Sequence, residues 1–108
     1  MWQKSGSEDS MTYGNAERYV QKLNRRNFAG YNDWRLPTIE ELASLMENKK
    51  MTGGLYIELM FDNKQKWCWS ADQYSSPGSR WVVGFSYGSV TYHLLNYRDY
   101  VRVVSSGQ

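Results

Sequence analysis

The hydrophobic pattern of the chain changes character two thirds of the way along. In the first part, Ala16, Tyr19, Val20 and Leu23 fall at i, i+3, i+4 and i+7 between Thr12 and Arg26, which is the spacing of one buried face of a helix. Thr12 is the expected N-cap. A second helix, expected over about residues 38 to 48, carries a stronger start signal: Thr38 and Glu41 have capping-box spacing, Pro37 stands just outside, and Ile39, Leu42, Leu45 and Met46 make the apolar stripe. Between the two, Asn27 to Trp34 mixes turn formers with aromatics and predicts a packed loop. Asn48 to Gly54 breaks the pattern, and in the apolar run Leu55 to Phe61 helix and strand compete.

From Trp67 onward the runs are short and β-rich: Lys66 to Ala71, Arg80 to Tyr87, Ser89 to Leu94 and Tyr100 to Val104. Tyr87-Gly88 is the expected tight turn between the second and third, since Gly tolerates positive φ. Gln73 to Ser79 reads as a surface loop. Two helices followed by an antiparallel meander give an α+β class, because hairpin-linked strands do not make the crossovers of a parallel sheet.

Length and composition narrow the function classes. A chain of 108 residues is read as one domain, since halves of that size bury too little surface to stand alone. Thirteen basic against eleven acidic residues leave a net charge of +2, too little for the basic stripe that a phosphate backbone needs, so nucleic acid is not an expected partner. No stretch approaches the roughly 18 apolar residues of a membrane span, so membrane insertion is not expected either. Cys68 is the single cysteine, which rules out an intrachain disulfide. The five Trp and nine Tyr are the clearest departure from ordinary usage, and serve cores and binding surfaces equally well.

The string from Gly30 to Leu42, Gly-Tyr-Asn-Asp-Trp-Arg-Leu-Pro-Thr-Ile-Glu-Glu-Leu, closely resembles the central motif of the C-terminal-domain family of the Legionella collagen-like adhesin, a bacterial group long known only as a domain of unknown function. Other landmarks follow in order: Met1-Trp2-Gln3 resembles the opening strand, Met11-Thr12 the first helix start, Trp69-Ser70 a Trp-Ser step, and Trp81-Val82-Val83, Gly88 and Tyr100-Val101-Arg102 the close. The resemblance covers almost the whole chain. It implies a C-type-lectin-like fold, two helices packed on a twisted antiparallel sheet, related to the formylglycine-generating-enzyme group. It also implies that the domain belongs to a larger bacterial protein, whose compartment stays open.

Candidate chemistry is then weighed against that background. Asp33, Trp34 and Arg35, with Thr38 and Glu41, are read as a structural motif tying a loop to the core, because an Arg fork satisfies a carboxylate or several carbonyls at once. The Glu-Pro-Asn, Gln-Pro-Asp and Trp-Asn-Asp triplets of calcium-dependent lectins are absent from the sequence, so neither a metal nor another cofactor is expected. The formylglycine-generating relatives need a cysteine pair, whereas Cys68 stands alone between Trp67 and Trp69, where core packing is the ordinary role. No catalytic residue is assigned; a Cys68/His93 dyad is the remote enzymatic alternative. The stretch Ser86 to Asp99 has the composition of a paratope, with tyrosines among Ser and Asn, and in C-type-lectin-like proteins it lies on the ligand face. Tyr87, Tyr92, His93, Asn96, Tyr97 and Arg98 are the ligand-binding candidates, with Arg80, Arg98 and Arg102 available for sulfates or carboxylates. The expected function is non-catalytic recognition of a glycan, a glycosaminoglycan or a protein without calcium, through the surface after Trp81. The alternative is a structural or sensory appendage acting through self-association or contact with its parent polypeptide.

Overall fold

The computed structural model of the chain describes residues 2–3, 6–46, 66–75, 78–86 and 88–105. The apolar run from Leu55 to Phe61 and Tyr87 lie outside the described residues.

Helix α1 spans Tyr13–Arg25 and buries Tyr13, Ala16 and Leu23, with Tyr19 and Val20 packed beside them. The apolar stripe therefore faces the core as its spacing predicts. Thr12 occupies the N-cap position in extended backbone, but its side chain makes no capping bond. Its carbonyl accepts from the Ala16 amide at 2.9 Å. Lys22 and Arg25 sit in the last turn, where positive charge favours the helix dipole.

Helix α2 is much shorter than its pattern suggests, covering Ile39–Ala43. Its start is the expected one, with a complete capping box between Thr38 and Glu41. Its end comes early because the amides of Leu45 and Met46 bond three residues back, to the carbonyls of Leu42 and Ala43 at 3.2 and 3.0 Å. That tighter winding stops the α-helix, yet still lays Leu45 and Met46 on the same apolar cluster as Leu42. The helical stripe was thus correct as a packing face and too long as a helix.

Three antiparallel strands follow, β1 Trp67–Gln73, β2 Ser79–Gly84 and β3 Ser89–Leu94, in the order β1-β2-β3. The β2 strand stops at Gly84 rather than at Tyr87, and Phe85 turns fully into the core. Gly88 closes the β2–β3 turn with a φ of 66°, the left-handed region that favours glycine. Register places Trp69 opposite Val82, and Val82 opposite Thr91, on one face; Cys68, Val83 and Val90 form the corresponding row on the other. The first face carries the core shared with α1 and the second the core shared with α2. The sheet is therefore covered by one helix on each side, an α+β arrangement of two helices and a three-stranded sheet.

The expected fourth strand, Tyr100 to Val104, is not one. Val101 to Ser105 are buried and extended, but they pair through isolated bridges: Cys68 with Tyr100, and Val104 with both Trp2 and Arg35. Two exchanged bonds hold Arg35 and Val104 at 3.0 Å each, while Gln3 and Ser7 donate to the carbonyls of Val103 and Val101. The segment is wedged between the N-terminal residues, the Arg35 segment and the sheet, so its backbone groups are shared among three neighbours instead of one ladder. Among the described residues no helix is long and apolar enough to cross a membrane.

Candidate functional site

The family-like motif is a structural knot. Trp34 is buried, and the Asn24 side chain brackets its backbone, accepting from its amide at 2.7 Å and donating to its carbonyl at 2.9 Å. Arg35 reaches Glu41 with both guanidinium nitrogens, at 2.7 and 2.8 Å. The Glu41 carboxylate also accepts from the Thr38 amide at 2.9 Å. Its pKa is held down at about 2, chiefly by the Arg35 fork and next by the Thr38 backbone bond. Asp33 accepts from the Ser105 hydroxyl, and so joins the loop to the end of the chain. Ile39 donates its amide to Asp72 at 2.6 Å, fastening the start of α2 to β1.

The ligand candidates do not form one surface. Along β3, exposure alternates, with Val90, Tyr92 and Leu94 exposed on one face and Thr91 and His93 less so on the other. Tyr92 lies on the α2 side of the sheet. Its ring stacks on Tyr74 at 4.1 Å and 10°, and Tyr74 meets Trp81 edge-on at 4.8 Å. His93 lies on the α1 side, between Trp67 at 5.2 Å and Tyr97 at 4.7 Å, with the edge of Trp69 at 6.4 Å. Tyr92 is 46% and Tyr97 51% exposed. Asn96 and Arg98 are exposed in the following turn, and Arg98 donates to the Ser10 carbonyl at 2.8 Å. The sixth candidate, Tyr87, is outside the described residues.

Three participants escaped the sequence reading. Asp99 is buried, with its Oδ2 2.7 Å from His93 Nδ1. Burial pushes the Asp99 pKa up, and the contact with His93 opposes that shift. Trp67 reaches His93 because Gly84 has no side chain: a Cβ there would stand 2.5 Å from the Trp67 ring. Tyr74 sits past a register shift at the end of β1, which no simple alternation predicts. The signal for Asp99 was only its place at the end of the Tyr-rich stretch.

Two other candidates are displaced. Arg102 is fully buried and donates to the Gln3 carbonyl at 2.8 Å, while Arg80 lies over the Tyr13 ring at 4.6 Å. Of the three arginines offered for anions, only Arg98 is exposed, because the C-terminal segment threads the core instead of edging the sheet. Cys68 is fully buried on the α2 side, its pKa pushed up to about 12 by desolvation. His93 sits on the opposite face, so these two residues do not make a dyad.

The family model of the Lcl C-terminal domain matches residues 1–105. The chain belongs to that family. Within the matched residues, the Gly30 to Leu42 string builds the knot in which Asn24 brackets Trp34 and Arg35 grips Glu41. No curated protein matches this Lcl C-terminal domain at a significant level.

Proposed function

We propose that this domain is a non-catalytic, calcium-independent recognition module of C-type-lectin-like type within a larger bacterial protein, with its ligand surface wrapped around the β3 edge. The observation that carries the reading is the exposure of Tyr92 and Leu94 on β3 and of Tyr97 in the turn after it, at 46%, 50% and 51%, with aromatic neighbours already holding the two tyrosines in place. Exposed rings with few rotatable bonds, fixed by stacking before a ligand arrives, give contact area at small entropic cost. With Arg80 half-buried over the Tyr13 ring and Arg102 inside, recognition leans on ring stacking and on the amide of Asn96 more than on charge. A neutral glycan or a protein loop suits that surface better than a heavily sulfated chain.

The structural-appendage reading has one observation of its own: Val90 and Leu94 are exposed on an edge strand that carries no lysine or proline to deter pairing with another chain. A glycan array, with and without a calcium chelator, combined with light scattering, separates the two. Chelator-insensitive binding that Tyr92→Ala or Tyr97→Ala weakens by about tenfold, a change of about 1.4 kcal/mol, supports recognition. Absence of binding together with a concentration-dependent mass that Leu94→Lys abolishes supports the appendage.

A further inference from the structure

We propose that His93 and Asp99 form a proton-operated latch that positions Tyr97 and the turn after β3. Its bearing on recognition rests on the ligand surface proposed above; the latch itself does not. The turn is pinned at both ends. Leu95 donates its amide to the Gly78 carbonyl at 3.1 Å and accepts from the Tyr13 amide at 3.2 Å, while Asp99 and Met11 exchange two backbone bonds at 2.8 and 3.0 Å. Between these ends Tyr97 is 51% exposed, and among the described residues its ring meets one other ring, the imidazole of His93, at 4.7 Å and 28°. Whatever holds His93 therefore decides where the Tyr97 ring stands.

Asp99 Oδ2 lies 2.7 Å from His93 Nδ1, and the side chains of His93 and Asp99 are 18% and 4% exposed. An ionised carboxylate only accepts, so one imidazole proton belongs on Nδ1 and the titrating proton on Nε2. Imidazole is the side chain whose charge ordinarily changes between about pH 5 and 8, and His93 is the single histidine of the chain. When Nε2 takes up its proton, two interactions strengthen together. The bond to Asp99 becomes an ion pair, which supplies that buried carboxylate with a countercharge. The imidazolium also lies within the roughly 6 Å reach of a cation–π contact from two ring centroids, Trp67 at 5.2 Å and Tyr97 at 4.7 Å.

The other charged groups nearby leave this balance to the pair. Burial raises the Asp99 pKa, His93 opposes the shift, and no other side chain takes part in it. From β2, Arg80 stands opposite His93 in register, but its guanidinium is drawn over the Tyr13 ring of α1 at 4.6 Å. Glu17 of α1 and Asp72 of β1 act on Tyr13. In the turn, Arg98 reaches away to the Ser10 carbonyl at 2.8 Å, and beyond it Arg102 donates to the Gln3 carbonyl at 2.8 Å. Strand β1 presents Trp67 and Trp69, which carry no charge. Protonation therefore tightens Asp99, His93 and Tyr97 as one unit, while Tyr92, stacked on Tyr74 on the opposite face, stays outside it. A surface ordered by acid loses less freedom on binding, and so holds its ligand more tightly in acid.

NMR of the isotope-labelled domain between about pH 8 and about pH 5 tests the latch. The Tyr97 amide donates to the Leu94 carbonyl at 3.0 Å. As His93 takes up its proton, exchange of that amide is expected to slow about threefold or more relative to its intrinsic rate, and the contacts between the His93 and Tyr97 rings to strengthen. The contacts between Tyr92 and Tyr74 stay constant. His93→Gln keeps a donor for Asp99 but has no titrating proton, and abolishes the response. Asp99→Asn keeps the imidazole but removes its countercharge; it takes away most of the response, and serves if the first variant does not fold. A Tyr97 amide and ring contact indifferent to pH, or a response undiminished in either folded variant, would overturn the proposal. The glycan array, repeated at both pH values, reads the consequence for recognition: binding tighter in acid for the wild type and equal at both pH values in His93→Gln is expected, and equal binding in the wild type breaks the tie between latch and ligand. Absence of glycan binding bears on the recognition reading alone, because the amide exchange decides the latch.

Discussion

Strands β2 and β3 lie side by side, pair residue for residue, and are built from similar side chains, yet their surroundings differ completely. In β2, Val82 and Val83 are both fully buried, because α1 covers one face and α2 the other. In β3, Val90, Tyr92 and Leu94 lie 40 to 50% exposed. Valine pairs with valine across the two strands, Val83 with Val90, and one is core while the other is surface. Residue type therefore does not separate packing from recognition in this sheet. Position relative to the two helices does.

The largest test of that contrast is a matched pair of truncations. Trp69→Ala removes a fully buried indole that packs edge-on against Tyr13 at 5.3 Å and donates to the Met11 carbonyl at 2.9 Å. It should cost about 3 to 5 kcal/mol in chemical denaturation, a large part of the stability of a domain this size. Tyr92→Ala, on β3, should cost about 1 kcal/mol or less, the worth of its stack on Tyr74. Equal losses in the two variants would mean that the β3 face is core and not a free surface.

Gly84→Ala probes the boundary between the two strands. The added methyl must displace the Trp67 ring lying across β2, so a loss of about 1 to 3 kcal/mol is expected. The same variant should alter the His93 ring resonances, because the Trp67 ring lies tilted against that imidazole at 5.2 Å. Lost stability with an unchanged His93 spectrum would break the link between the glycine and the site.

The smallest effect concerns acid, and acts away from the sheet. The Glu41 pKa is lowered from 4.5 to about 2 in the folded state, so the folded protein holds its proton less tightly than the unfolded chain. The stabilisation is present above the unfolded pKa and fades as pH falls from about 5 towards 2. The Arg35–Glu41 pair is more than a third exposed, with side-chain exposures of 43% and 36%, so screening limits it to about 1 kcal/mol or less. Glu41→Gln should flatten the acid limb of the Tm profile between those pH values. Asp99 acts in the opposite sense: its raised pKa means that the folded state binds the proton more tightly, and stability is lost as pH rises through its titration. An acid limb equally steep in Glu41→Gln would assign the loss to other carboxylates.

Much of the fold was legible because it rests on local rules. The periodicity of Ala16, Tyr19, Val20 and Leu23 located α1, and the Thr38 and Glu41 spacing located the start of α2. The site was legible only in part. The Tyr-rich stretch falls on β3 and the turn after it, but treating it as one surface overlooked the period of two that sends Tyr92 and His93 to opposite faces. Asp99 and Trp67 were missed because their meeting with His93 depends on strand order and on a glycine across the sheet.

The residues alone therefore determined what depends on neighbours within a helical turn or a strand pair: the helix start, the antiparallel hairpin, the amphipathic faces and the family signature. Tertiary structure decided what depends on distant partners. It put Arg102 inside, where the Gln3 carbonyl meets it, and made Tyr100 to Val104 a shared buried segment instead of a strand. It also left β3, among the described strands, at the edge of the sheet, where Val90, Tyr92 and Leu94 are exposed. Burial is a property of how layers stack, and no single stretch of sequence carries the layer that covers it.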